Sequence, residues 1–342
     1  MTRHVLAVTL GDPVGIGPEI TAKTLAEQAG ATGHHGVAVG DPAALRRGVQ
    51  AMGLDVEVRV VDGFDVEPAD GVIDIVDTGV LGDDVPEWGK VDARAGKAAI
   101  ASIETATRAA MEQKVAGIVT GPINKEAIWA AGSEHLGHTE MLGHLTGSRR
   151  VATMFLVRDL KIFFATRHTS LRDAIEQLTR ERVAAGIAES LVALRVLGHD
   201  APRLAVAALN PHGGEGGNFG DEELTAIGPA CADARAGGAD VIGPVPADSV
   251  FHQGIEGRFD GVLSLFHDQG HIAAKTFDFD GTVSVTMGLP IVRTSVGHGT
   301  AFDIAGTGTA SAGTMASAYR AGARLARWKD RVRAEYGGPA SG

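Results

Sequence analysis

A chain of 342 residues with 44% hydrophobic and 21% charged residues holds enough apolar material for buried cores, which excludes wholesale disorder. Its 31 basic side chains face 42 acidic ones, a formal net charge of -11, so nonspecific binding to nucleic acid or an anionic membrane is excluded, and an anionic substrate must meet a local basic cluster. Cys231 is the 1 cysteine and has no intrachain disulfide partner, which fits a reducing, cytoplasmic location.

In chain order, HVLAVTL predicts a strand whose apolar run is too short for a signal sequence or a membrane span, and a helix follows from about Pro18. GVAVG predicts a strand, PAALRRGVQAMG a helix, VEVRVV and GVIDIVD strands, 92–113 a long helix and VAGIVT a strand. The series continues with the strands ATMFLV and KIFFAT, a helix over 172–198, the strand RLAVAALN and a helix over 221–237. The strands DVIGPVP, GVLSLF and SVTMG and a terminal helix over 310–335 complete it. Such alternation signals a parallel or mixed sheet covered by helices, here as two α/β units.

GDPVGIGPE carries Gly15 and Gly17 but Ile20 where a dinucleotide fingerprint needs a third small residue, and no Walker loop is present. The segment reads either as a tight turn with Pro18 at the first helical position or as a loop whose N–H groups face a ligand.

Three histidines share one context: His168 follows KIFFATR, His212 follows RLAVAALNP, and His267 follows GVLSLF. In an open parallel sheet the ligand site lies beyond the carboxyl ends of the strands, so all three imidazoles point to one edge. Any one of them alone is more often a hydrogen-bonded structural residue than a ligand, and their spacing matches no local metal motif; repetition of the context carries the argument. Three converging imidazoles with a position left open suit a catalytic divalent cation. Nearby strand ends add His138 and Thr139 in GHTE, Asp268 in FHDQGH, Lys275, and Arg293 in LPIVRTS. The two cations sit in apolar, glycine-marked segments, and a buried cation needs an anion such as phosphate or carboxylate.

GDPVGIGPE, GPINKEAI, LGHTE, LNPHGGEGGNFGDEE, FHDQGH and LPIVRTSVGHGTAFDIAGTG, in this order over 11–308, resemble the 4-hydroxythreonine-4-phosphate dehydrogenase family of pyridoxal phosphate biosynthesis and its catabolic paralogues. The resemblance implies two α/β/α domains of the isocitrate/isopropylmalate dehydrogenase-like fold, 1–125 plus 262–342 and 126–261, with the active site in the interdomain cleft at a homodimer interface. It implies NAD and a divalent cation (zinc, magnesium, manganese or cobalt) as cofactors. The metal ligands map onto His168, His212 and His267, and substrate contacts onto His138, Thr139, Lys275, Ser284 and Arg293. The cofactor loop maps onto His298, Gly299, Thr300, Asp303 and Gly306.

Departures bear on the substrate. Ser284 stands where biosynthetic members usually have Asn, Gly297 where many have Asp, and HDQGHIAAK, with His271, is closer to paralogues that oxidise 4-phospho-D-threonate or 4-phospho-D-erythronate. SVGHG also resembles the dihydrodiol dicarboxylate dehydrogenases of aromatic catabolism, a branch that tends to lack GHTE. The expected reaction is NAD-dependent oxidation of a secondary alcohol β to a carboxylate, then loss of carbon dioxide, on a small phosphorylated hydroxy acid. Lys125 is a candidate proton donor to the enolate, while Asp268 either takes the alcohol proton or orients His267. Metal-assisted hydrolysis and noncatalytic binding of a phosphometabolite are the competing readings.

Overall fold

The computed structural model describes residues 4–28 and 33–337. The chain divides into two compact units, one formed by Met1–Ala152 with Val283–Gly342 and the other by Thr153–Thr282.

The first unit opens with β1 (Val5–Thr9), α1 (Gly17–Gln28), β2 (His35–Gly40), α2 (Pro42–Ala51), β3 (Glu57–Val61), β4 (Val72–Asp77), α3 (Ala93–Met111) and β5 (Gly117–Thr120), then α4 (Lys125–Ala130) and α5 (His138–Thr146). The second unit holds β6 (Ala152–Val157), β7 (Leu160–Phe164), α6 (Leu171–Gln177), α7 (Arg180–Val196), β8 (Arg203–Ala207), α8 (Gly228–Ala236), β9 (Asp240–Val245), α9 (Ala247–Ile255), β10 (Gly261–Ser264) and α10 (His267–Phe277). The chain then returns through β11 (Thr282–Met287), β12 (Arg293–Ser295), α11 (Gly313–Leu325) and α12 (Lys329–Tyr336).

In the first unit the strand order is β3-β4-β2-β1-β5-β12-β11, parallel except for the β11/β12 pair. Ala7, Val37 and Val39 bury one sheet face against Ala99, Ile103 and Ala106 of α3, while α11 packs on β5 and β12. Helices on both faces explain why VLAVT and GIVT read as unbroken apolar runs rather than alternating ones. The second unit orders its strands β6-β7-β10-β8-β9, with only β6 antiparallel to its neighbour. Ile162, Ala205 and Val262 meet Val250, Phe251 and Ala274 of α9 and α10 on one face, and α7 packs on β7, β8 and β10.

Three helical segments add to or depart from the sequence expectation. The helix expected over 172–198 is two helices, because Thr179 leaves helical geometry and its hydroxyl caps the Arg182 N–H to start α7. The helix expected over 221–237 opens with a π turn at Glu223–Ile227 before α8 begins. HDQGHIAAK is helical, forming α10. The unit boundaries fall at 152 and 282 rather than 125 and 262. The reasons are that α4 and α5 pack on α3, and that β10 pairs with β7 and β8. Both shifts follow strand pairing and helix packing.

Candidate active site

In the second unit β7, β10 and β8 are adjacent and parallel, so the three histidine-bearing loops leave the same sheet edge. His267 opens α10, and His168 follows β7 with φ 30°. His212 lies in Pro211–Gly217, where His212, Gly213, Gly214, Glu215 and Gly216 all take left-handed backbone angles. For the two non-glycine residues this conformation costs roughly 1–2 kcal/mol each. Glu223 holds the base of the loop, its carboxylate accepting the N–H groups of Leu209 and Asn210, both at 2.7 Å. Burial works to raise the Glu223 pKa, and the hydrogen bonds from Asn210 and Leu209 outweigh it, leaving the carboxyl below its ordinary value.

The rings of His168 and His267 stand 6.0 Å apart between centroids. They flank a cavity of about 450 Å³ also lined by Arg167, Ser170 and Asp268. Among the described residues no three His, Cys, Asp or Glu side chains gather closely enough in one chain to hold an ion, so His212 does not join that pair here. The donor chemistry nonetheless fits a cation. Nδ1 of His212 meets Glu215 Oε1 at 2.7 Å and Nδ1 of His267 meets Asp268 Oδ1 at 2.6 Å. A carboxylate only accepts, so each Nδ1 carries a proton, and in the neutral ring Nε2 is the nitrogen left with a lone pair, the usual arrangement of a metal-bound imidazole. The Glu215 hydrogen bond and charge also raise the His212 pKa.

His271, one turn along α10, is stacked on His267 with 3.6 Å between centroids and 14° between planes. Its other neighbours are Phe155 at 4.3 Å and Phe164 at 4.8 Å, and burial pushes its pKa down to about 4.

In the first unit, Arg293 on β12 is 4% exposed. Its Nε and Nη2 donate to Thr120 Oγ1 and its Nη1 to Thr286 Oγ1. No carboxylate pairs with it among the described residues, and burial alone lowers its pKa to about 9. His138, at the start of α5, has its Nε2 sealed from solvent without a hydrogen-bond partner. Burial, then the Arg293 charge, hold its pKa well below the ordinary value, so the ring is neutral. Thr139 is half-buried beside it, and Ser284 on β11 lies opposite Ser295 of β12. Lys125 opens α4, its Cε 3.9 Å from where a Cβ on Gly137 would stand. Lys275 belongs to the second unit, with Nζ 5.5 Å from the Phe279 ring centre.

The loop that carries His298, Gly299, Thr300, Asp303 and Gly306 is tied to GDPVGIGPE. The Ile16 N–H donates to the Thr300 carbonyl at 3.0 Å, and a Cβ on Gly15 would sit 2.8 Å from Thr300 Cβ. Glu19, fully buried, accepts from Gly306 N at 2.9 Å and Gly308 N at 2.8 Å. Gly306 has φ 78° with Trp88 packed 2.6 Å from its missing Cβ, so no other residue fits. His298 Nε2 meets Thr314 Oγ1 at 2.7 Å, and Asp303 is exposed. The strand-to-helix turn with Pro18 in the first helical turn is present, and its backbone is hydrogen-bonded to this loop. Asp12 in the same turn is fully buried with Oδ2 unpartnered, and burial pushes its pKa up to about 6.

Sequence reading missed Glu19, Thr120, Glu215 and Glu223. A signal existed only for Glu215, three residues after His212 in HGGEGG.

Residues 33–322 match the family described as "Pyridoxal phosphate biosynthetic protein PdxA". A relative from Cutibacterium acnes, named "Putative D-threonate 4-phosphate dehydrogenase", is 56% identical over 97% of this chain and 96% of its own. The crystal structure of 4-hydroxythreonine-4-phosphate dehydrogenase from Klebsiella pneumoniae superposes with a TM-score of 0.88 at 42% identity, covering 95% of this chain and 98% of that one. A terephthalate 1,2-cis-dihydrodiol dehydrogenase from Burkholderia xenovorans has a TM-score of 0.64 at 30% identity, covering 94% and 98%.

Proposed function

The chain belongs to the family of pyridoxal phosphate biosynthetic protein PdxA and is an oxidoreductase acting on a CH–OH group; from that premise we propose that it oxidises and decarboxylates a 4-phosphorylated 3-hydroxy acid with NAD. D-threonate 4-phosphate, its erythronate epimer and 4-phosphohydroxy-L-threonine are the substrates of choice. The observation that carries this reading is Arg293, a buried guanidinium held, among the described residues, by two threonine hydroxyls. An unpaired cation in a protein interior is costly, and a substrate oxyanion relieves that cost. His138 Nε2 adds a neutral acceptor or donor beside it, suited to a hydroxyl or a protonated phosphate oxygen.

His168, His212 and His267 would hold the divalent cation, which supplies electrophilic stabilisation to the alkoxide and to the enolate. Asp268 is spent on His267 Nδ1, so its role here is to orient that ring rather than to take the alcohol proton. NAD, when bound, would supply the hydride acceptor; the alcohol proton would leave to solvent-linked groups of the site, and Lys125 would return a proton to the enolate carbon once the β-keto acid has lost carbon dioxide. The loop braced by Glu19 receives the adenosine side of NAD. A homodimer in the cytoplasm completes the proposal; no helix among the described residues is long and apolar enough to cross a membrane.

The test is a substrate panel with NAD and added divalent metal, read by formation of reduced nicotinamide. Turnover of a phosphorylated hydroxy acid with release of carbon dioxide supports the reading. Turnover restricted to an unphosphorylated dihydrodiol dicarboxylate points to the aromatic-catabolic branch instead. Tight binding of the phosphorylated acids without reduced nicotinamide or hydrolysis makes the protein a binder.

A further inference from the structure

Beside the assigned His267, His271 packs its ring against His267, Phe155 and Phe164. His271 Nδ1–H donates to the His267 carbonyl at 2.8 Å, which fixes the ring at its own helix turn. Phe155 meets it edge-on at 61° and Phe164 at 47°, so two of its sides are filled by apolar rings. The remaining face lies against His267, 3.6 Å away and 14° from parallel.

That geometry separates two roles for a fourth imidazole. A metal ion binds imidazole in the ring plane at roughly 2.0–2.1 Å from nitrogen. Two rings stacked nearly parallel direct their lone pairs side by side, not to one point, so His271 does not share an ion with His267. Resting on the reading of His267 as a metal ligand, we propose that His271 is a positioning residue: an aromatic platform that sets the ring plane of His267 toward the cation. Asp268 fixes the same ring within its plane through Nδ1, and His271 fixes its tilt. The two constraints are complementary, because a single hydrogen bond leaves the imidazole free to rock about the Nδ1 direction.

The experiment titrates cobalt(II) alone into the metal-free full-length protein and reads affinity and the visible ligand-field bands, without any turnover. His271→Phe keeps a flat ring on His267 and loses the Nδ1 hydrogen bond; His271→Leu keeps volume and loses the flat ring. Cobalt affinity is expected to fall about 10- to 100-fold in His271→Leu with an altered band pattern, the scale for residues behind a ligand, and to stay within about threefold of wild type in His271→Phe. Wild-type affinity and bands in His271→Leu overturn the proposal. So does a His271→Phe protein that binds as weakly as His271→Leu, and this variant decides alone if His271→Leu fails to fold. His267→Ala separates the two levels: unchanged cobalt binding there, or none by wild type, overturns the metal reading itself. A weakened His267→Ala beside an intact His271→Leu overturns only the platform.

Discussion

Arg293 donates from both Nε and Nη2 to the single hydroxyl oxygen of Thr120, at 3.1 and 2.6 Å. One neutral hydroxyl cannot neutralise a guanidinium, so under the proposed function the substrate's phosphate would be its counterion. Arg293→Ala is expected to lower kcat/KM for the phosphorylated substrate by about 30- to 1000-fold, the equivalent of about 2–4 kcal/mol for losing one member of a buried charged contact. The unphosphorylated acid should change little. Equal losses on both substrates would assign Arg293 to something other than phosphate. Arg293→Met carries the opposite expectation for stability: removing an uncompensated buried cation raises the melting temperature of the ligand-free protein while activity falls.

Asp12 gives a pH-dependent expectation. Its carboxyl moves from 3.8 to about 6 in the folded chain, chiefly through burial. The folded state therefore holds the proton more tightly than the unfolded state. The associated stability is fully present below pH 3.8 and is lost as pH rises through about 6. Over that interval the loss amounts to about 3 kcal/mol. Asp12→Asn, which removes the titration, should be more stable than wild type near neutral pH, with the advantage shrinking toward about pH 4. Denaturant midpoints across that range measure it, and a pH-independent difference would mean that Asp12 is not protonated by burial.

Glu19 reaches the 298–308 loop, proposed to bind the cofactor, with Oε1 and Oε2 each accepting one backbone N–H. Glu19→Ala leaves those N–H groups without a partner and costs about 1–3 kcal/mol of stability. KM for NAD should rise about tenfold with KM for the acid within about twofold, since the loss falls on one loop. A parallel rise in both constants would remove the loop from cofactor binding.

The contrast between His168 and Glu19 shows what the chain discloses. Strand-end histidines are legible because a short apolar run, a turn signal and the next residue are contiguous, and the adjacency of β7, β10 and β8 then follows from parallel-sheet rules. Arg293 was legible as a cation in an apolar, glycine-marked run, but its environment was not: Thr120 and Thr286 meet it through strand register. Glu19 and Gly306 are joined by tertiary contact that no local pattern encodes. The start of α10 was hidden because Phe266 precedes it with no side-chain cap and Gly270 interrupts the helical pattern. The break before α7 was missed because the apolar periodicity runs on through 172–198, although Thr179 is a favoured helix-capping residue within it.

The metal reading makes the demand that reaches furthest. His168→Ala, His212→Ala and His267→Ala are each expected to lose most bound divalent ion and at least ~100-fold in turnover, as befits removal of a direct ligand. Within one chain His168 and His267 approach each other, while no set of three donors closes among the described residues. A site shared between two copies, as the family resemblance implies, would unite ligands that a single chain keeps apart. Mixing inactive His212→Ala with inactive His267→Ala would then regenerate one intact site per heterodimer, and activity should return on subunit exchange. Proven exchange without recovered activity, or full activity from a monomer at high dilution, would mean that each chain builds its own site.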